Sequence, residues 1–115
     1  MKLLIADDNA FMRRLIRQIV GQYFQEIFEC KNGFDAVQLY KLHQPDWVLM
    51  DLEMPSIDGL IATSIIKEVF PMAKIIIVTK YNDEPYRQAA KKVGAFDFIA
   101  KDNLLHIWSL MMAKP

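Results

Sequence analysis

Short apolar runs alternate with longer amphipathic stretches along the whole 115-residue chain, and this alternation limits what it can fold into. Leu3-Leu4-Ile5-Ala6, Ile27-Phe28-Glu29-Cys30, Trp47-Val48-Leu49-Met50, Ile75-Ile76-Ile77-Val78 and Phe96-Asp97-Phe98-Ile99 read as five strands. A helix follows each one. The first runs from 10 to about 23, with Phe11, Leu15, Ile19 and Tyr23 four residues apart on one face. Asn32 is the expected N-cap of the second, which stops near 43, before Pro45. The third is capped by Asp58 or Ser56, turns Ile61, Ile65 and Val69 inward, and ends at Pro71. Asn82-Asp83-Glu84 opens the fourth, where carboxylates suit the helix dipole, and Gly94 sits just past its end. The fifth spans 103 to 113.

Regular strand–helix alternation builds a mainly parallel sheet with helices on both faces. The first, third and fourth strands are uninterrupted apolar runs, as central parallel strands should be. The second and fifth carry Glu29 and Asp97, charges that suit edges. The expected fold is therefore a flavodoxin-like (βα)5 three-layer sandwich with strand order 2-1-3-4-5.

The length fits one domain, 1–115, with no output domain, and an apolar content of 53% allows a real core. Fourteen basic residues balance 14 acidic ones, which argues against a nucleic-acid or membrane-surface binder. The lone Cys30 cannot form an internal disulfide and reads as a small apolar filler in a cytoplasmic protein. The apolar run at the N-terminus stops at Asp7-Asp8, too short for a signal peptide, and no run approaches a membrane span.

In this architecture ligands bind at the carboxyl ends of the strands. The first strand exits into Asp7-Asp8, the third into Asp51, the fourth into Thr79 and the fifth into Lys101. Three crowded carboxylates repel unless something positive sits among them, and a hard cation such as Mg²⁺ suits a few carboxylates plus water. With a hydroxyl and an ammonium beside them, the set fits an anionic, oxygen-rich guest such as a phosphoryl group.

These residues resemble the receiver domain of bacterial two-component response regulators over residues 3 to about 112. The marks are Asp7-Asp8, Asp51-Leu52-Glu53-Met54-Pro55 with Asp58-Gly59, Thr79 and Lys101, each set in order after a strand. The resemblance implies that Asp51 accepts a phosphoryl group from a histidine kinase or a small phosphodonor. It implies that Asp8, Asp51 and the backbone carbonyl of Glu53 hold Mg²⁺, with Asp7 acting through water. Thr79 and Lys101 would contact the phosphoryl oxygens, and Phe98 matches an aromatic that turns inward on activation. The only chemistry implied is self-phosphorylation and self-dephosphorylation. The surface of the fourth helix, fifth strand and fifth helix would switch and could pair in a homodimer.

Two features depart from the family pattern. Lys80 stands where a small residue is usual, and it is expected to slow exchange at Asp51. Asp102 follows Lys101 where proline is common, so a trans bond is expected there. Glu53 and Tyr81 lie two residues past Asp51 and Thr79, and the resemblance implies that these positions flank the path of attacking water and tune phosphoryl lifetime.

The last helix is rich in apolar residues. Leu105, Trp108 and Met112 are expected to face the core, which leaves Leu104, Ile107 and Met111 for a partner. His43, His106, Trp47 and the methionines read as ordinary surface or packing residues. Two other functions stay open. One is a receiver-like interaction module not regulated by phosphorylation, favoured by Lys80 and opposed by the full acidic set. The other is a phosphatase with an aspartyl intermediate, for which Glu53 has suitable spacing but no substrate-capping insert exists.

Overall fold

The structure is a computed structural model, and it describes residues 1–81 and 83–113. Its elements run β1 (Lys2–Ala6), α1 (Ala10–Val20), a 3₁₀ turn (Gly21–Tyr23), β2 (Glu26–Cys30), α2 (Gly33–His43), β3 (Trp47–Met50) and α3 (Gly59–Val69). Then come β4 (Ile75–Thr79), α4 (Glu84–Lys92), β5 (Asp97–Ala100), a 3₁₀ helix (Lys101–His106) and α5 (Ile107–Ala113). The strands form one sheet in the order β2-β1-β3-β4-β5, and every neighbouring pair is parallel. The flavodoxin-like arrangement is therefore as expected, and the two charged strands do lie at the edges.

Alternation along the buried strands splits the core in two. Leu4, Ala6, Val48, Met50, Ile75 and Ile77 pack toward Ala36, Tyr40, Ala62, Ile66 and Ala90 of α2, α3 and α4. Leu3, Ile5, Leu49, Ile76 and Val78 pack on the other face with Ile16 and Val20 of α1 and Ile107 and Met111 of α5. Side-chain oxygens start three helices: Asn9 accepts from the Met12 N–H, Asn32 from Asp35 and Asp58 from Ile61. Gly94 ends α4 region with φ of +91°. Peptide bonds are trans among the described residues, Lys101–Asp102 included.

Several expected helix faces are wrong. In α1 the buried residues are Ile16 and Val20; Phe11 is 67% exposed, and Tyr23 lies beyond the helix in the 3₁₀ turn. In α3 the inward residues are Ala62, Thr63 and Ile66, while Ile61 and Val69 face outward. Asp58 is the cap; Ser56, with φ of +69°, instead accepts a hydrogen bond from the Phe34 N–H. The fourth helix begins at Glu84, and the expected opening residue Asn82 lies outside the described residues.

The last segment is reversed. It starts as a 3₁₀ helix, and Leu104, Ile107 and Met111 are buried while Leu105 is 82% exposed and Met112 is also exposed. The sheet approaches from the other side of the helix than its composition suggested. Trp108 is half-buried and stacks on Tyr23 with ring centroids 3.7 Å apart. Trp47 is buried, with Phe96 edge-on at a centroid separation of 4.9 Å and the Lys74 ammonium 4.9 Å from its ring centroid. His43 stacks on Phe28.

Candidate functional site

The strand register brings the site together. Ala6 pairs with Cys30 and Met50, and Thr79 with Ala100, so the carboxyl ends of β1, β3, β4 and β5 form one rim. Hydrogen bonding continues one step past the strands. The Asp7 N–H donates to the Cys30 carbonyl at 3.1 Å and the Asp51 N–H to the Ala6 carbonyl at 2.8 Å. Two carboxylates therefore leave adjacent strands side by side, with Asp7 only 2% and Asp51 6% exposed. Asp8 is exposed next to them.

Each of these three acids places a carboxylate oxygen within 4.8 Å of the others. Lys101, at the start of the 3₁₀ helix, lies 2.9 Å from Asp7 Oδ2 and 3.4 Å from Asp51 Oδ2. Asp7 Oδ1 accepts from the Asn9 N–H at 2.9 Å, and Asp51 Oδ1 from the Leu52 N–H at 2.8 Å. Glycine is required at 59 for a steric reason: a Cβ there would stand 2.0 Å from the Asp51 carbonyl oxygen. That close approach holds the start of α3 against the loop leaving β3.

Burial pushes the Asp51 carboxyl up from 3.8 to about 6, and the charge of Asp7 adds to the rise; Lys101 only partly offsets them. Burial works against the Lys101 charge, but its bonds to Asp7 and Asp51 win and raise its pKa. Three carboxyl groups thus face a single ammonium. A donor set of oxygens alone, with no nitrogen or sulfur, fits a hard divalent cation such as Mg²⁺. The residues present fit that group.

A cavity of about 440 Å³ opens over the site, lined by Asp8, Asp51, Thr79, Lys80, Tyr81 and Lys101 among others. Thr79 is buried, and its Oγ1 accepts from the Tyr81 N–H at 3.3 Å. The Tyr81 hydroxyl donates to Glu53 Oε1 at 2.7 Å and so bridges the two loops across the cavity mouth. That hydrogen bond, first, raises the Tyr81 pKa. The Lys80 ammonium lies 5.4 Å from the Tyr81 ring centroid, and Lys80 lines the cavity beside Tyr81. Phe98 is buried on β5, and the Arg87 guanidinium of α4 covers its ring at 4.9 Å. Cys30 is buried too, and desolvation raises its thiol to about 11, as a filler's should be.

All nine residues singled out from sequence are described, and all but Phe98 line or border the cavity or its acidic floor. Sequence reasoning counts Asp58-Gly59 among the family marks but missed the steric role of Gly59 against the Asp51 carbonyl. It also missed Arg13, whose Nη1 donates to the Asp7 carbonyl at 2.7 Å. No sequence signal marks that contact, because it is made to a backbone carbonyl rather than to a side chain.

A family model described as the response regulator receiver domain matches residues 3–107. The chain belongs to this family. It is 43% identical over 100 residues to the chemotaxis protein CheY of Halobacterium salinarum, covering 87% of this chain and 83% of that protein. It is also 43% identical over 107 residues to the oxygen regulatory protein NreC of Staphylococcus carnosus, covering 89% of this chain but 48% of that protein. The crystal structure of the CheX–CheY–BeF3–Mg²⁺ complex from Borrelia burgdorferi superposes with a TM-score of 0.88 at 27% identity, covering 98% of this chain and 87% of that one. As a receiver domain, the chain is a phosphoacceptor module of two-component signalling. No helix among the described residues is long and apolar enough to cross a membrane.

Proposed function

We propose that Asp51 is the phosphoacceptor and that Asp7, Asp8 and Asp51, with the Glu53 carbonyl, form a Mg²⁺ site. The observation that carries this reading is the buried Asp51 carboxylate, flanked by Asp7 and Lys101 and opening into the 440 Å³ cavity. An Asp51 oxygen forms a bond to phosphorus while the bond from phosphorus to the donor's nitrogen or oxygen breaks, and the leaving group takes the electron pair. In hydrolysis a water oxygen bonds to phosphorus while the bond from phosphorus to the Asp51 oxygen breaks. The Asp51 carboxylate leaves with the electron pair, and the water's proton passes to the phosphate or to solvent. Positioning and charge neutralisation dominate such transfers. The cation, when bound, supplies positive charge at the phosphoryl oxygens.

The protein's own groups do the rest. Lys101 already spans Asp7 and Asp51 and can follow the new charge. Thr79 trades its bond from the Tyr81 N–H for one to a phosphoryl oxygen, and the space it leaves is available to Phe98. The change then reaches the surface of α4, β5 and α5. The Tyr81–Glu53 bridge and Lys80 regulate access and lifetime from the cavity mouth. In this reading residues 1–115 act as one cytoplasmic receiver whose donor is a histidine kinase. Leu105 and Met112, exposed on the last helical segment, are the apolar residues available to a homodimer on that face. The balanced charge leaves nucleic acid and membrane outside the partner set.

Intact-mass analysis after incubation with acetyl phosphate and Mg²⁺, wild type beside Asp51→Asn, tests the proposal. A phosphoryl adduct on the wild type alone is expected. An adduct on both proteins would move the acceptor away from Asp51. None on either, with a phosphohistidine donor also inactive, would favour a module that signals without phosphate.

A further inference from the structure

Arg13 stands in α1 with its guanidinium turned toward the β2 edge. Its Nη1 donates to the Asp7 carbonyl at 2.7 Å and its Nε to Glu29 Oε1 at 3.0 Å. The other Glu29 oxygen is taken by Arg17, with Nε at 2.9 Å and Nη2 at 2.7 Å. One carboxylate thus anchors two arginines, but only Arg13 reaches the acidic turn.

The Asp7 carbonyl belongs to the peptide that joins the two neighbouring acids. A peptide unit is planar, so fixing its C=O direction also fixes the N–H of Asp8 and the axis from which the Asp8 side chain hangs. Asp7 itself is already held by its N–H on Cys30 and by the Asn9 N–H on its Oδ1. The Arg13 bond adds a restraint on the exposed neighbour, Asp8. We propose that Arg13 is a positioning residue: by clamping the Asp7 carbonyl to Glu29, it presets the relative orientation of Asp7 and Asp8 for a divalent cation. This rests on the reading of Asp7, Asp8 and Asp51 as a cation site.

Two effects of losing Arg13 have opposite signs. Its charge repels a cation, so removing charge alone strengthens cation binding. Its two directed bonds preorganise the acids, so removing them weakens binding; partners that orient metal ligands are worth about tenfold or more in affinity. Lysine keeps the charge but lacks the planar fork that serves two acceptors at once. Arg13→Lys therefore isolates orientation from charge.

Calorimetric titration with Mg²⁺ and amide hydrogen exchange in EDTA, on wild type, Arg13→Lys and Arg17→Ala, decide the matter. Arg13→Lys is expected to bind Mg²⁺ about tenfold more weakly and to exchange faster at Asp8 and Asn9 without metal. Arg17→Ala, which strips charge from the same Glu29 but makes no contact with Asp7, should stay within about twofold of wild type or bind slightly more tightly. An Arg13→Lys protein with wild-type affinity overturns the inference, whatever its exchange. If the wild type takes up no Mg²⁺, the cation reading has failed. Metal-free exchange then judges Arg13: faster at Asp8 and Asn9 upholds the clamp, and unchanged rates overturn it.

Discussion

The two sides of the site are held in different ways. At the ends of β1 and β3 the sheet itself fixes the acids: Asp7 and Asp51 donate their N–H groups into neighbouring strands, and Gly59 lets α3 press against the Asp51 carbonyl. At the ends of β4 and β5 the groups are tied by side chains, through the Tyr81–Glu53 bridge, the Arg87 cover on Phe98 and the reach of Lys101. The Tyr81–Glu53 bridge is an exposed, exchangeable hydrogen bond and the Arg87 cover a modest cation–π contact, whereas Lys101 is held more firmly, between two buried carboxylates. The acidic half is thus preset by the sheet, and on the other half Tyr81 is tied to Glu53 by a contact that exchanges easily. A switch needs both, because a ligand moves only an equilibrium whose states lie close in energy.

Gly59→Ala should break the rigid side most severely. The added Cβ has backbone, not a flexible side chain, 2.0 Å away, so a loss of about 3 kcal/mol or more in urea denaturation is expected. A loss below about 1 kcal/mol would show that this side yields after all.

Asp51→Asn should act with the opposite sign. The folded-state pKa of about 6 lies above the ordinary 3.8, so folding favours the protonated form. Metal-free stability from this group is greatest below the unfolded value and falls as pH rises through about 6. By neutral pH the ionised carboxylate costs about 3 kcal/mol. The amide variant should escape that cost, being the more stable protein at pH 7 in EDTA and losing most of the advantage near pH 4. Parallel stability–pH curves for the two proteins would refute the burial argument.

The smallest effect belongs to the Tyr81 side. Tyr81→Phe should leave the unfolding midpoint unchanged and speed decay of the phosphoryl adduct by about threefold, the scale of one hydrogen bond. A shifted midpoint with unchanged decay would place the bridge among the structural contacts instead.

The strands, their order and the rim residues were legible because each depends on local chemistry: apolar runs, Glu29 and Asp97 at the edges, acids after strand ends. Helix faces were not. In the last segment Leu104, Ile107 and Met111 have the same spacing as Leu105, Trp108 and Met112, so periodicity cannot choose between them; contact with the sheet does. In α3 the inward set is led by the small Ala62, outweighed on paper by the larger Ile61 and Val69. The steric role of Gly59 and the bonds of Arg13 to Asp7 and Glu29 depend on how close the folded backbone brings them, which residue type and spacing do not record.

The two tryptophans give the molecule an optical readout of its own. Trp47 is enclosed beside Phe96 in β3, whereas Trp108 lies half in water against the face of Tyr23. Their emission should differ in colour and in access to a quencher such as iodide. Any rearrangement that parts α5 from the turn after α1 would unstack Tyr23 and change the Trp108 signal, while Trp47 serves as the internal reference.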